Sequence, residues 1–77
     1  SAGGIEIALR PVHLYVPLEQ EIAFSDLIVA TQQVNEIALG IMMGERSKEL
    51  TLNPHNDSRF QFTNDDQVAV LAQQVYT

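Results

Sequence analysis

The side chains with the most chemical potential in this sequence lie in one polar segment. Residues 53–59 read Asn-Pro-His-Asn-Asp-Ser-Arg and combine an imidazole, a carboxylate, two amides and a guanidinium. His55 and Asp57 offer nitrogen and oxygen donors that suit an anion or a metal ion, and binding residues concentrate in loops. Asn, Pro and Asp are also ordinary turn formers. Asn53, His55, Asp57 and Arg59 are therefore candidate ligand contacts, with a plain turn and an Arg59–Asp57 salt bridge as the alternative.

Other residue types that could do chemistry fit structural roles better. An EF-hand needs a longer ligand series than Asp65 and Asp66 supply, which favours a turn. Ser25 lacks a Gly-x-Ser-x-Gly elbow and a nearby histidine, so it is interpreted as a helix N-cap. His13 has no acidic residue at ligand spacing and is predicted to face outward from a strand. With no nucleophile and base pair visible, we predict a protein that is not an enzyme and holds no cofactor or metal of its own.

Composition places the chain among small globular domains. It has 77 residues, of which 45% are hydrophobic and 18% charged, and it has no cysteine. Disulfides and thiolate zinc sites are thereby excluded. The net charge of −6 has the wrong sign for holding a phosphate backbone, so nucleic acid is not expected as a partner. No stretch reaches the roughly 20 apolar residues of a membrane span, and the fragment is expected to be soluble.

Hydrophobic periodicity predicts an α+β fold with one helix. Residues 1–11 are interpreted as a linker or tag remnant with a weak strand at 5–9, and residues 12–77 as the domain proper. The helix is predicted over residues 24–34, with Ser25 as N-cap, Asn35 as C-cap and an apolar stripe that includes Leu27 and Val34. The domain elements, in order, are a strand at 12–16, a loop at 18–23, the helix, a strand at 36–43, a polar turn at 44–49, a strand at 50–52, a segment in which Phe60 and Phe62 alternate into the core, and a strand at 67–72.

The β-α-β-β-β order leaves one face of the small sheet without cover. Strict alternation in the strand at residues 36–43 puts Ile37, Leu39, Ile41 and Met43 on one face, and Glu36, Ala38, Gly40 and Met42 on the other. One helix covers one face only, and the second face is too apolar for water. A homodimer is the default explanation, with Met42 a candidate interface contact. The alternative is that residues 5–9 cover the second face.

An ordered series of short motifs resembles one known family. Residues 12–17 as an extended segment, a helix beginning at Phe24, and the apolar segment 35–41 are similar to the first half of the TrkA-type C-terminal domain, also called the RCK C-terminal domain. Leu52-Asn53-Pro54, Asp57, and the turn at Asp65-Asp66 leading into an apolar strand are similar to its second half. Two differences are Asp65 where the family most often has Gly, and a longer turn at residues 45–49.

The resemblance implies a cytosolic regulatory module of a potassium channel or cation transporter. Such modules are dimers, and small molecules, nucleotides or metal ions bind at the pair interface of some members. The chain would then lie on the cytoplasmic side of the membrane as part of a larger membrane protein. A small-molecule-sensing α+β module of a soluble metabolic enzyme is the alternative, although such modules normally have two helices.

Overall fold

The computed structural model describes residues 4–44 and 49–73. It is a small α+β domain with one α-helix, as the sequence predicts, and its strands form a four-stranded sheet and a two-stranded sheet. The elements are β1 (Ile5–Pro11), a 3-10 turn (Val12–Leu14), β2 (Glu21–Ala23), α1 (Phe24–Gln32), β3 (Ile37–Met42), β4 (Leu50–Leu52), β5 (Arg59–Gln61) and β6 (Gln67–Gln73).

The larger sheet is antiparallel throughout, with strand order β1-β6-β3-β4. β6 is central and pairs with all seven residues of β1. The hairpin predicted between β3 and β4 is confirmed as an antiparallel pair, although residues 45–48 of its turn lie outside the described residues. β2 and β5 form the smaller sheet. β2 falls in the predicted loop at 18–23, where the prediction is wrong because only pairing with β5 makes this short segment extended.

The helix packs on one face of the larger sheet through Phe24, Leu27 and Thr31, at the spacing of one stripe. Thr31 joins this stripe because its hydroxyl donates a 2.9 Å hydrogen bond to the Ile28 carbonyl, so no polar atom is left unpaired. Val34 was expected on the stripe, but it follows the last helical residue and is 55% exposed.

The N-cap of α1 is Ala23 rather than Ser25. Ala23 is the last residue of β2, and its N–H donates a 3.0 Å hydrogen bond to the Asp26 carboxylate. The backbone N–H groups of Phe24 and Ser25 donate to the carbonyls of Ser58 and Asn56, both at 2.9 Å. The loop between β4 and β5 therefore satisfies the first backbone donors of the helix, and no side-chain cap from Ser25 forms.

The first strand lies earlier in the chain than predicted. Ile5–Pro11, interpreted from sequence as linker with a weak strand, is a full strand of the larger sheet. Residues 12–16, predicted as the stronger strand, instead begin with the 3-10 turn. The Val12 N–H donates to the Asp66 carbonyl, and the Val12 carbonyl accepts from Tyr15 and Val16, so the chain folds back after Pro11. His13 accordingly lies in this turn, exposed, and not on a strand.

A bulge in β3 changes which side chains share a face. The pairing with β6 shifts register between Ala38 and Gly40, so alternation restarts there. Ala38 and Ile41 consequently lie on the helix side, whereas Ile37, Gly40 and Met42 lie on the opposite side. The alternation predicted from sequence therefore holds from Gly40 to Met42 but assigns Ile37 and Ala38 to the wrong faces.

Candidate interaction surface

The candidate site is the face of the larger sheet that α1 does not cover, here called the outer face. Directly paired residues of neighbouring strands point to the same side of a sheet, so the strand register defines its membership. Its cross-strand rows are Ile5 with Gln73; Ile7, Leu71 and Ile37; Leu9, Ala69, Gly40 and Leu52; and Pro11, Gln67, Met42 and Leu50. Within the described residues this face carries no charged side chain.

The outer face exposes large aliphatic side chains on β1, β3 and β4, whereas the small residues Ala69 and Gly40 between them are buried. Ile5 is 72% exposed, Ile7 69%, Leu52 64% and Ile37 56%, and Leu9 and Leu50 are exposed to a smaller extent. Six of the nine exposed large hydrophobic residues of the described chain lie on this face. Large exposed apolar areas of this kind mark interaction sites.

The opposite face of the sheet, on which α1 packs, is here called the inner face, and it is covered. On the inner face, Val68, Val70 and Ile41 are at most 1% exposed and belong to the same core as Phe24, Leu27 and Phe62. The single helix and the connecting segments cover this face, as expected when a helix packs on one face of a sheet. The outer face therefore has no cover from the described part of the chain.

The alternative in which residues 5–9 cover the second face is wrong. These residues form β1, an edge strand of the same sheet, and β1 adds Ile5, Ile7 and Leu9 to the outer face. The segment that was to shield this surface enlarges it. Met42, the predicted interface contact, lies on this face beside Leu50 and Gln67 and is partly buried.

A pocket of about 320 Å³ lies at one end of the outer face. It is lined by Ile5, Asn35, Ile37, Leu71, Ala72 and Gln73. Its lining includes three aliphatic side chains of the outer face and no charged one, which suits an aliphatic group of a partner.

The polar candidates lie together in the loop between β4 and β5. Asn53, Pro54, His55 and Asn56 line a groove of about 310 Å³. The Nδ1 atom of His55 is 3.0 Å from the Asp57 carboxylate, and both side chains are almost fully exposed. The structure thus brings three of the four polar candidates to one groove and its margin.

Arg59, the fourth polar candidate, is the first residue of β5, where it pairs with Ala23. Within residues 4–44 and 49–73 no ion pair joins Arg59 to Asp57, because Asp57 contacts His55 instead. The same loop supplies the carbonyls that cap α1, so it already has a structural role. No group of three or more His, Asp or Glu side chains in the described chain is arranged to hold a metal ion.

One polar cluster is not apparent from the sequence spacing. The Tyr15 hydroxyl donates a 2.6 Å hydrogen bond to Glu36, and a terminal nitrogen of Arg10 lies 3.7 Å from the other oxygen of that carboxylate. Burial, the hydrogen bond and the negative charge of Glu36 together raise the pKa of Tyr15 to about 12. The cluster joins β1, the 3-10 turn and the segment before β3.

Asp66, interpreted as a turn residue, is buried with 3% of its surface exposed. Its carboxylate accepts hydrogen bonds from the N–H groups of Gly44 at 2.6 Å and Thr63 at 2.7 Å, and its carbonyl accepts from Val12. Asp66 therefore links three separate segments, which confirms a structural role and explains why this carboxylate is not available for a ligand.

No protein-family model matches this chain, and no curated protein matches it significantly. Among the described residues, no helix has the length and apolar character needed to cross a bilayer. The outer face is thus the feature on which a function can be argued.

Proposed function

We propose that this chain is a noncatalytic regulatory module that works as a pair, with a second copy covering the outer face. The kind of module is the one its sequence resembles, a TrkA-type C-terminal domain on the cytoplasmic side of a potassium channel or cation transporter. The observation that carries the proposal is the uncharged apolar outer face, because it needs a cover that the described chain does not provide.

The energetics favour association of two such faces. Complete burial of a Leu or Ile side chain contributes about 1.5 to 3 kcal/mol. Covering the six exposed aliphatic side chains on both copies would contribute on the order of 15 kcal/mol, against an association cost of about 4 to 15 kcal/mol. A second copy is the expected partner because two-fold pairs are the commonest assemblies. The outer face carries no described charge, so the repulsion between two chains of net charge −6 is lowest at this contact.

Regulation would follow from the geometry of the pair. A ligand that binds one arrangement of the two copies better than another shifts the population between them, with a coupling free energy of about 1 to 3 kcal/mol. The groove at residues 53–56 is the place for such a ligand, because its amides and the His55 imidazole are exposed and its loop caps α1. A ligand in this groove would contact the loop that caps α1, and a shift of that loop would move the first turn of the helix and the core residues packed against it.

The pairing is tested by sedimentation velocity over a range of micromolar concentrations. Ile37→Glu places a charge in the apolar pocket of the outer face, and we expect it to weaken self-association at least about a hundredfold. Val29→Glu is the matched control, because Val29 is 53% exposed on α1 and away from the sheet. A wild-type chain that stays monomeric, or equal loss in both variants, would contradict the proposal.

The sensing role is tested separately by thermal shift with cyclic dinucleotides, adenine nucleotides and divalent cations. A ligand that stabilises the wild-type dimer should lose its effect in Asn53→Ala/His55→Ala, while Asp65→Ala serves as a control on an exposed turn outside the groove. No response from a folded dimer would reduce the proposal to a structural pairing module. Attachment to a channel or transporter requires transmembrane segments in the parent protein, and a parent without them would overturn that part.

A further inference from the structure

The two edges of the larger sheet are very different. β4 is three residues long, whereas β1 presents a seven-residue edge with exposed aliphatic side chains at Ile5 and Ile7. Proteins normally blunt an exposed edge by shortening it or by placing charges and bulges on it, because unpaired N–H and C=O groups recruit another strand. β4 is blunted by its length, and β1 pairs with β6 without a register shift along its whole length.

The sequence of β1 is complementary to itself about Ala8. In an antiparallel pair centred on Ala8, the Ala8 residues of the two copies face each other, Ile7 faces Leu9, and Ile5 faces Pro11. The same register sets Glu6 opposite Arg10 twice, once on each side of the two-fold axis. Apolar residues then meet apolar residues and opposite charges meet on the helix side of the sheet.

Arg10 is suited to a second carboxylate. One of its terminal nitrogens lies 3.7 Å from Glu36, its side chain is 37% exposed, and its Nε atom is buried without a hydrogen-bond partner in the described chain. A guanidinium has five N–H donors, so the contact with Glu36 leaves capacity for another acceptor.

We propose that the β1 edge is a second self-association surface, at which β1 pairs antiparallel with β1 of another copy, centred on Ala8. The inference goes beyond the pairing of outer faces and uses a different surface. The two-fold axis stands perpendicular to the sheet, so both outer faces lie on the same side of an eight-stranded sheet. Two such sheets packed through their outer faces would make an assembly of four copies.

Cysteine cross-linking tests the register directly, because the chain has no cysteine of its own. Opposite residues of an antiparallel pair have Cα atoms about 4.5 to 5.5 Å apart, within the range of a disulfide. Under mild oxidation we expect Ala8→Cys to form a covalent dimer about tenfold faster or more than the control Thr51→Cys on the other edge strand. Equal rates for the two variants would overturn the proposal.

A charge exchange provides an independent test. Glu6→Arg places Arg opposite Arg at two points, and we expect it to raise the dissociation constant of the edge contact about tenfold or more. The double variant Glu6→Arg/Arg10→Glu restores opposite charges across the pair but sets a carboxylate beside Glu36, so it should associate at least about threefold more tightly than Glu6→Arg without reaching the wild-type value. Thermal melts confirm that each variant is folded. A double variant that associates no better than Glu6→Arg would contradict the register.

The two association surfaces can be separated. In an Ile37→Glu background the outer-face contact is lost, but Ala8→Cys should still cross-link at its own rate. Loss of cross-linking in that background would show that the edge contact has no independent existence and would overturn this inference while leaving the outer-face pairing intact. If sedimentation gives no evidence for the outer-face contact but Ala8→Cys still cross-links, the edge contact is supported and the outer-face pairing is not.

Discussion

The two faces of one sheet both carry large apolar side chains but have opposite environments. Val68, Val70 and Ile41 are completely buried on the inner face, whereas Ile7 and Leu52 are more than 60% exposed on the outer face. The strands are shared, so the difference lies only in what covers each face. The comparison teaches that the inner face explains why the chain folds, and that the outer face requires a reason outside the described chain.

Substitutions on the two faces should therefore change different quantities. Changes on the inner face should act on the free energy of unfolding of a single copy at any concentration. Changes on the outer face should leave that free energy almost unchanged and act on association. The Ile37→Glu background, which loses the outer-face contact, provides the single copy at concentrations low enough to dissociate the edge contact as well.

Leu27→Ala should have the largest effect. Leu27 is fully buried on α1, and its truncation removes apolar burial and leaves a cavity, at a cost of about 2 to 5 kcal/mol in the free energy of unfolding. Urea denaturation followed by circular dichroism measures it. A cost under about 1 kcal/mol would mean that the helix does not hold the inner face as the structure indicates.

Gly40→Ala should come next and affect both faces. A Cβ atom at Gly40 would lie 2.3 Å from the Thr51 carbonyl oxygen and 3.0 Å from the Leu52 Cα atom, so β4 must move. We expect a loss of about 1 to 3 kcal/mol in the free energy of unfolding and weaker self-association, because Leu50 and Leu52 are displaced. Thr51→Ala, which keeps the β4 backbone in place, is the control. Equal effects of the two changes would contradict this explanation.

Tyr15→Phe should cost about 0.5 to 1.5 kcal/mol at neutral pH by removing the hydrogen bond to Glu36 at the margin of the inner face. The contribution depends on pH because folding favours the protonated phenol. It is fully present below the ordinary Tyr pKa of 10.0 and is lost as the pH rises toward the folded-state pKa of about 12.

Denaturation of the wild type and Tyr15→Phe between neutral and alkaline pH measures this difference. All other groups are the same in both proteins, so the difference reports on Tyr15, with Glu36 and Arg10 as its charged neighbours. A difference that stays constant up to pH values near 12 would contradict the raised pKa.

Leu52→Ala should have the smallest effect on a single copy, although it is the same chemical change as Leu27→Ala. Leu52 is 64% exposed, so we expect a change within about 0.5 kcal/mol in the free energy of unfolding. The same variant, without the Ile37→Glu background, should associate more weakly than the wild type in sedimentation. A large loss of stability in the single copy would mean that the outer face is part of the core.

The sequence predicts the strongly periodic elements well. The helix at α1, the apolar strand β6 and the β3–β4 hairpin are where the sequence places them, because each has a long apolar pattern or a clear turn signal. The excess of apolar surface over what one helix covers is also visible in the sequence. That excess is the part of the site that could be predicted.

The errors have one physical cause, which is contact between distant segments. Val12 begins a 3-10 turn because Asp66 accepts its N–H, and α1 begins after Ala23 rather than Ser25 because the carbonyls of Ser58 and Asn56 accept its first N–H groups. The bulge between Ala38 and Gly40 reverses the facing of the first half of β3, and the regular apolar pattern of this strand gives no indication of that reversal. Alternation alone therefore assigns Ala38 to the wrong face.

Sedimentation of the wild-type chain across the micromolar range, beside Ile37→Glu and Val29→Glu, is the direct test of whether a second copy covers the outer face. We expect the wild type and Val29→Glu to assemble as the concentration rises, whereas Ile37→Glu loses the outer-face contact. A wild-type chain with the mass of one copy at every concentration would contradict it.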